Sequence, residues 1–180
     1  YFKIFGLSPK EYTVVTLHRP SNVDTKEALT PILEALNEIA KQSTVIFSMH
    51  PRTQQKIDVF GLNELVNMDG IKLNQVNAIG PKPYFDMLNL TMHAQCVITD
   101  SGGLQEETTV MGVPCLTLRN NTERPVTIKH GTNQLVKQEK KIILNAFNNT
   151  ISRQGEFETP KFWDGKTAER IVKDLISWLS

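Results

Sequence analysis

The run Thr99-Asp100-Ser101-Gly102-Gly103-Leu104-Gln105-Glu106-Glu107 holds the densest set of chemically useful residues in the chain. The apolar stretch Cys96-Val97-Ile98 leads into it and a helix-forming segment leads out. That order describes a strand, a glycine turn and a helix start. Backbone N–H groups of Ser101, Gly102 and Gly103 would lie at the helix N-terminus, where the dipole adds roughly half a positive charge. A phosphate or diphosphate fits such a place. The same residues would equally serve as a simple cap at Asp100 or Ser101 followed by a turn.

Two further features favour the anion. Glu107 lies one helical turn beyond Gly103, where a carboxylate can accept hydrogen bonds from a ribose beside the phosphates. After one more apolar run comes Arg119-Asn120-Asn121-Thr122-Glu123-Arg124-Pro125, which offers two guanidinium groups to anions.

His18 follows an apolar run and precedes Arg19, so it is expected at a strand exit, able to donate to a phosphate or to shuttle a proton. His50, before Pro51, reads from the residues alone as the end of its strand. His93 and His130 read as structural or solvated, and Trp163 and Trp178 as packing for the last helix.

These residues need elements to position them. Tyr12 to Leu17 reads as a buried strand, and Asp24-Thr25 can cap a helix bearing Leu29, Ile32, Leu33, Leu36 and Ile39 at helical spacing, with Pro31 expected to bend or restart it. A strand over Thr44 to Met49 precedes a short helix from Thr53 to Phe60. A third strand is expected near Ile71-Lys72-Leu73, then a helix from Tyr84 to Met92 and a strand from Gln95 to Thr99. The helix from Gly103 ends near Gly112, Pro114 to Leu118 is the next strand and Gln134-Leu135-Val136 a last short one. Lys140 to Ile151 and Lys166 to Leu179 read as helices, the second with Ala168, Ile171, Val172, Leu175, Ile176 and Leu179 on one face. Glu156 to Pro160 is the most linker-like stretch.

Strands alternating with helices call for right-handed crossovers and a Rossmann-like, doubly wound, mainly parallel sheet covered on both faces. Ligands of such sheets bind beyond the carboxyl ends of the strands, where His18-Arg19, His50-Pro51, Ser101-Gly102-Gly103 and Arg119 to Arg124 all fall.

Composition removes other classes. The 180 residues suit one well-cored domain, and 20 basic against 19 acidic residues leave a formal charge of +1. Such a balance gives no field for nucleic acid or a membrane surface. Cys96 and Cys115 adjoin apolar runs without metal-ligand spacing, so they read as reduced core residues in a cytoplasmic protein. No membrane-length apolar run is present. Walker and dinucleotide glycine patterns are absent, against ATPases and NAD enzymes. Tyr1 to Leu7 reads as the tail of a helix begun upstream, with Gly6 placed like its cap.

With these residues in hand, the chain resembles the non-hydrolysing UDP-N-acetylglucosamine 2-epimerases. The resemblance rests on Thr16-Leu17-His18-Arg19, His50-Pro51, Thr99 to Glu107, Thr122-Glu123-Arg124-Pro125, Gly131 to Val136 and Asp164-Gly165-Lys166-Thr167-Ala168, in that order. It implies the C-terminal half of a GT-B architecture, with a preceding domain of similar size not included in this sequence, part of the last helix left exposed, and a homodimeric full-length enzyme. It further implies that UDP or UDP-N-acetylglucosamine is held by Ser101, Gly102 and Gly103 at the diphosphate, Glu107 at the ribose, Arg124 at a phosphate and Met87 near uracil. His18 is the catalytic-site residue of this half, His50 a possible allosteric contact, and neither a nicotinamide nor a metal is required. The implied reaction eliminates UDP to a 2-acetamidoglucal and adds it back, with carboxylate acid/base groups in the other domain. The family often reads His-Arg-x-Glu-Asn where this chain has His18-Arg19-Pro20-Ser21-Asn22, and Ser21 cannot act as a carboxylate. A GT-B glycosyltransferase half and a non-catalytic UDP-sugar-binding domain are the competing readings.

Overall fold

A computed structural model describes residues 2–152 and 157–179. Six strands form one sheet: β1 (Tyr12–Thr16), β2 (Thr44–Ser48), β3 (Val76–Ile79), β4 (Cys96–Thr99), β5 (Cys115–Thr117) and β6 (Asn133–Leu135). Their order is β3-β2-β1-β4-β5-β6, and every pairing is parallel. The chain therefore winds outward one way from β1 and then the other way from β4. Between those two strands lies the switch point, where diverging connections leave a crevice at the carboxyl ends.

Eight helices make the crossovers and flanks of the described residues: α1 (Pro20–Val23), α2 (Lys26–Ala40), α3 (Pro51–Phe60), α4 (Tyr84–His93), α5 (Gly102–Met111), α6 (Pro125–Lys129), α7 (Lys140–Ser152) and α8 (Thr167–Leu179). Successive strand residues point to opposite faces, so both faces need apolar cover. Val15, Phe47 and Ile98 join Leu29, Ile32, Leu33, Leu36 and Phe147 on one side. Val14, Ile46 and Val97 join Tyr12, Leu90 and Val113 on the other. The two cysteines are buried and free, as expected.

Several expectations need correction. Helix α2 is capped by the Thr25 hydroxyl, which accepts from Ala28 N, and runs through Pro31 as one element. Pro31 removes one backbone donor, but the fully buried Leu29, Ile32, Leu33 and Leu36 around it hold the helix together. Asp24 is not the cap; its carboxylate takes Arg52 and Lys56. The short α1, unforeseen, starts on Pro20, whose fixed φ suits a first helical position. Residues 2–5 form a 3-10 turn closed by left-handed Gly6. Trp178 is 82% exposed, so it does not pack the last helix into the core. Tyr1 and Glu156, the latter opening the linker-like stretch, lie outside the described residues.

The third strand lies at Val76–Ile79, not at Ile71 to Leu73. Asn77, fully buried, explains the displacement. Its Oδ1 accepts from Lys72 N and Asn67 Nδ2, both 2.8 Å away, while its Nδ2 donates to the carbonyls of Lys72 and Gln75. One side chain thereby replaces the ladder that residues 71–73 would otherwise seek, and Leu73 is left in solvent. Asn77→Ala, which orphans those groups, is expected to lower stability by about 1–3 kcal/mol. The check is the urea midpoint at unchanged slope.

Candidate functional site

At the switch point the exits of β1 and β4 are tied by one carboxylate. Asp100, fully buried, accepts from His18 N (3.0 Å), Arg19 N (2.9 Å) and Asn22 Nδ2 (3.0 Å) through Oδ2. Its Oδ1 lies 2.8 Å from His18 Nδ1. Arg19 Nε donates to the Asp100 carbonyl, and the second amide hydrogen of Asn22 goes to the Leu118 carbonyl. Asp100, offered by the sequence only as a cap, instead organises the whole β1 exit. The signal was an acidic residue directly after a four-residue buried strand, where charge must be matched.

The turn that follows differs from a simple cap. Ser101 occupies the N-cap position of α5, yet its hydroxyl makes no capping hydrogen bond. The first-turn N–H groups, Gly102 and Gly103 among them, are thus left to a ligand or water. The Ser101 N–H itself is taken by Thr99 Oγ1 at 3.0 Å, so the expected three-donor cradle loses that member.

Gln105, fully buried one turn into α5, joins this turn to the basic loop. Its Nε2 donates to the Ser101 carbonyl, and its Oε1 accepts from Thr122 Oγ1 and Asn133 Nδ2. Thr122 Oγ1 accepts from Arg124 N, and Thr127 Oγ1 donates to the Arg124 carbonyl. Both sides of Arg124 are therefore pinned relative to the glycine turn. Close packing completes the unit: a Cβ on Gly131 would meet Thr109 Oγ1 and the Thr127 carbonyl at 2.5 Å, so position 131 admits no side chain. Sequence reasoning missed this polar network, because its members are scattered from Ser101 to Asn133, with Gln105 and Asn133 alone 28 residues apart.

Of the two expected guanidinium groups, Arg119 is not available to an anion. It is 6% exposed and holds both oxygens of Glu123, at 2.7 and 2.9 Å. Arg124 is half-exposed, with Nε 2.8 Å from Glu106 Oε1. Glu107 stands partly buried, its carboxyl raised above the usual range by burial while the Tyr84 hydroxyl beside it works the other way. Met87, one turn along α4 from Tyr84, packs against the second core cluster.

His50 caps α3, its Nδ1 accepting from Arg52 N, with its ring centroid 6.3 Å from that of His18. The two histidines and Lys82 line a cleft of about 170 Å³. His93 is structural, with Nδ1 2.9 Å from the Asn89 carbonyl and its ring against Phe2. His130 is exposed after α6. Among the described residues no group of three or more His, Cys, Asp or Glu is placed to hold a metal.

A doubly wound parallel sheet with polar groups gathered at its switch point places the domain in the Rossmann-like class. Its relatives narrow this further. The family described as UDP-N-acetylglucosamine 2-epimerase matches residues 3–176, and this chain belongs to that family. A UDP-N-acetylglucosamine 2-epimerase from Methanocaldococcus jannaschii is 40% identical over 92% of this chain and 44% of its own length. A Pseudomonas aeruginosa UDP-2,3-diacetamido-2,3-dideoxy-D-glucuronate 2-epimerase is 33% identical over 94% of this chain and 46% of its own. The crystal structure of the M. jannaschii enzyme in complex with UDP-GlcNAc and UDP aligns with a TM-score of 0.82 at 37% identity, covering 98% of this chain and 48% of that one. The chain thus spans about half the length of the relatives it matches.

The Arg119 clamp has a pH signature. It holds the Glu123 carboxyl down at about 2, below the ordinary 4.5. A depressed acid contributes its stabilisation above the ordinary value and loses it as pH falls through the folded one. In a carbon-13 titration Glu123 is expected to show a midpoint of about 2, and Arg119→Gln to return it towards 4.5.

Proposed function

We propose that this chain is the UDP-holding half of an isomerase that interconverts UDP-N-acetylglucosamine and UDP-N-acetylmannosamine, supplying precursors of cell-surface polysaccharide in the cytoplasm. The observation that carries the reading is the convergence, beyond β4, of an uncapped α5 N-terminus, Glu107 and Arg124. In this proposal the N–H groups of Gly102 and Gly103, with the Ser101 hydroxyl, hold the diphosphate. Glu107 accepts from the ribose hydroxyls, and Met87 lies against uracil. Arg124 offers its fork to a phosphate and stabilises the charge that develops as UDP departs. His18 is the catalytic group this half contributes, and His50 a candidate contact for a second nucleotide sugar. An N-terminal domain supplies the remaining wall and the acid/base carboxylates, in a homodimer. No nicotinamide or metal takes part.

The chemistry divides accordingly. Inversion at C2 needs a base for the proton, an acid for the opposite face and a dry cavity for the glucal. This half anchors the leaving group and holds it still. A buried, pinned network suits that task, because electrostatic stabilisation of a departing diphosphate depends on donors that do not have to reorganise.

UDP is expected to bind the chain 1:1 by calorimetry. Glu107→Ala, which removes charged acceptors of ribose hydroxyls, should weaken binding by on the order of 1.5–3 kcal/mol. Because the Glu107 carboxyl is raised, the wild-type affinity should fall as pH drops through a value above 4.5, and this pH dependence should be missing in Glu107→Ala. Unchanged UDP affinity in the folded variant would sink the ribose assignment.

The 180 residues alone are expected not to epimerise, since effective molarity is lost with the absent wall. Incubation with UDP-N-acetylglucosamine in deuterium oxide, followed at C2 by NMR, is the measurement. Deuterium at C2 above a His18→Ala control would show that this half carries the chemistry by itself.

A further inference from the structure

We infer that Asp100 is a positioning residue that fixes the His18 imidazole as its Nδ1–H tautomer, so that neutral His18 presents Nε2 to the crevice as a proton acceptor. The meaning of the crevice rests on the function proposed above; the tautomer itself is a property of the chain without ligand.

Three groups around the carboxylate can only donate: the backbone N–H of His18, the backbone N–H of Arg19 and the Asn22 amide, at 3.0, 2.9 and 3.0 Å from Oδ2. Asp100 is therefore surrounded as an acceptor. Its other oxygen, Oδ1, lies 2.8 Å from His18 Nδ1 and 3.2 Å from His18 N. An acceptor facing a ring nitrogen at hydrogen-bond distance requires the proton to be on that nitrogen. The carboxylate cannot turn away to suit the other tautomer, because its orientation is set from both strand exits. Asp100 is 0% exposed while the His18 side chain is 47% exposed, so the fixed partner is interior and the free nitrogen faces solvent and the His50 cleft.

This decides between the two roles that the residue type leaves open. A neutral imidazole with its proton on Nδ1 has only a lone pair at Nε2, and a lone pair cannot donate to a phosphate oxygen. What it can engage is a hydroxyl or another proton donor. The partner of neutral His18 is thus a sugar hydroxyl or the reacting centre. Contact of Nε2–H with the diphosphate requires a second proton on the ring. The arrangement resembles the use of a buried carboxylate to orient a catalytic histidine in acyl-transfer triads, where the amide variant selects the wrong tautomer.

The test is side-chain nitrogen-15 NMR on the ligand-free 180-residue chain, at a pH where imidazoles are neutral. Nδ1–H should outweigh Nε2–H at His18 by about tenfold or more. Asp100→Asn should abolish that preference or reverse it, whereas Asn22→Ala, which leaves the carboxylate in place, should keep it. A dominant Nε2–H form in the wild type overturns the inference, as does an unchanged Nδ1–H preference in folded Asp100→Asn. Should that variant not fold, the wild-type His18 ring decides by itself: Nδ1 should carry the directly bonded proton and Nε2 the bare lone pair in its nitrogen-15 signals, and the opposite assignment overturns the inference. A UDP titration of the same sample separately reads the proposed function, so a failure of one is distinguishable from a failure of the other.

Discussion

The arrangement of the crevice depends on a parallel pairing between two strands that are not neighbours in sequence. β1 and β4 register Thr13 to Thr16 against Cys96 to Thr99, which brings residues about 80 positions apart to the same sheet edge. The Thr16 and Thr99 hydroxyls bond across the last rung at 2.6 Å, and Asp100 takes over one step further. A charge buried at that point costs several kcal/mol unless fully paired. Here it is paired by both chains that leave the sheet, so the strand register and the loop conformation support each other. Displacing either strand by one residue would leave the carboxylate facing apolar atoms.

The hydrogen-bonded chain from Ser101 through Gln105 and Thr122 to Arg124 extends this order across β5 to the far side of the switch point. Its energetic logic is cooperative: each buried amide or hydroxyl is tolerable only because the next one answers it. Such a network fixes geometry more than it stabilises the fold. Arg119 and Glu123 brace the outer part of the same loop. Arg124 is held through Nε by Glu106 and through Nη1 by the Glu123 carbonyl at 3.3 Å, so its guanidinium is already ordered when an anion meets it.

Much of this was legible in the sequence, for identifiable reasons. Buried parallel strands write themselves as continuous β-branched runs, so β1, β2 and β4 and the glycine turn were readable from Tyr12 to Thr16, Thr44 to Ser48 and Cys96 to Gly103. The helical faces of α2 and α8 were equally plain in their spacing. Ile71 to Leu73 misled because its local pattern suits a strand, whereas Asn77, five residues from Lys72, captures the backbone there. Arg119 looked free because nothing in a sequence reports that Glu123, one helical turn away in number, is folded back onto it. The partners of Asp100 and Gln105 were hidden for the same reason. They are long-range, and only the topology reveals who meets whom.

Helix α8 has an apolar stripe of Ile171, Val172, Leu175, Ile176 and Leu179, all more than half exposed, and no buried residue of its own. Its shape is held mainly from its own start, where Arg170 reaches back to Asp164 and the Phe162 carbonyl. A 13-residue helix of this kind gains little from the sheet and is marginal on propensity alone. The chain in isolation is thus two cooperative units of unequal strength, a tightly coupled sheet and a helix that can melt without disturbing it. Far-ultraviolet ellipticity would register the melting of α8 while the buried aromatic rings Tyr12, Phe47 and Phe147 stayed in place, and no single free energy of unfolding would describe both.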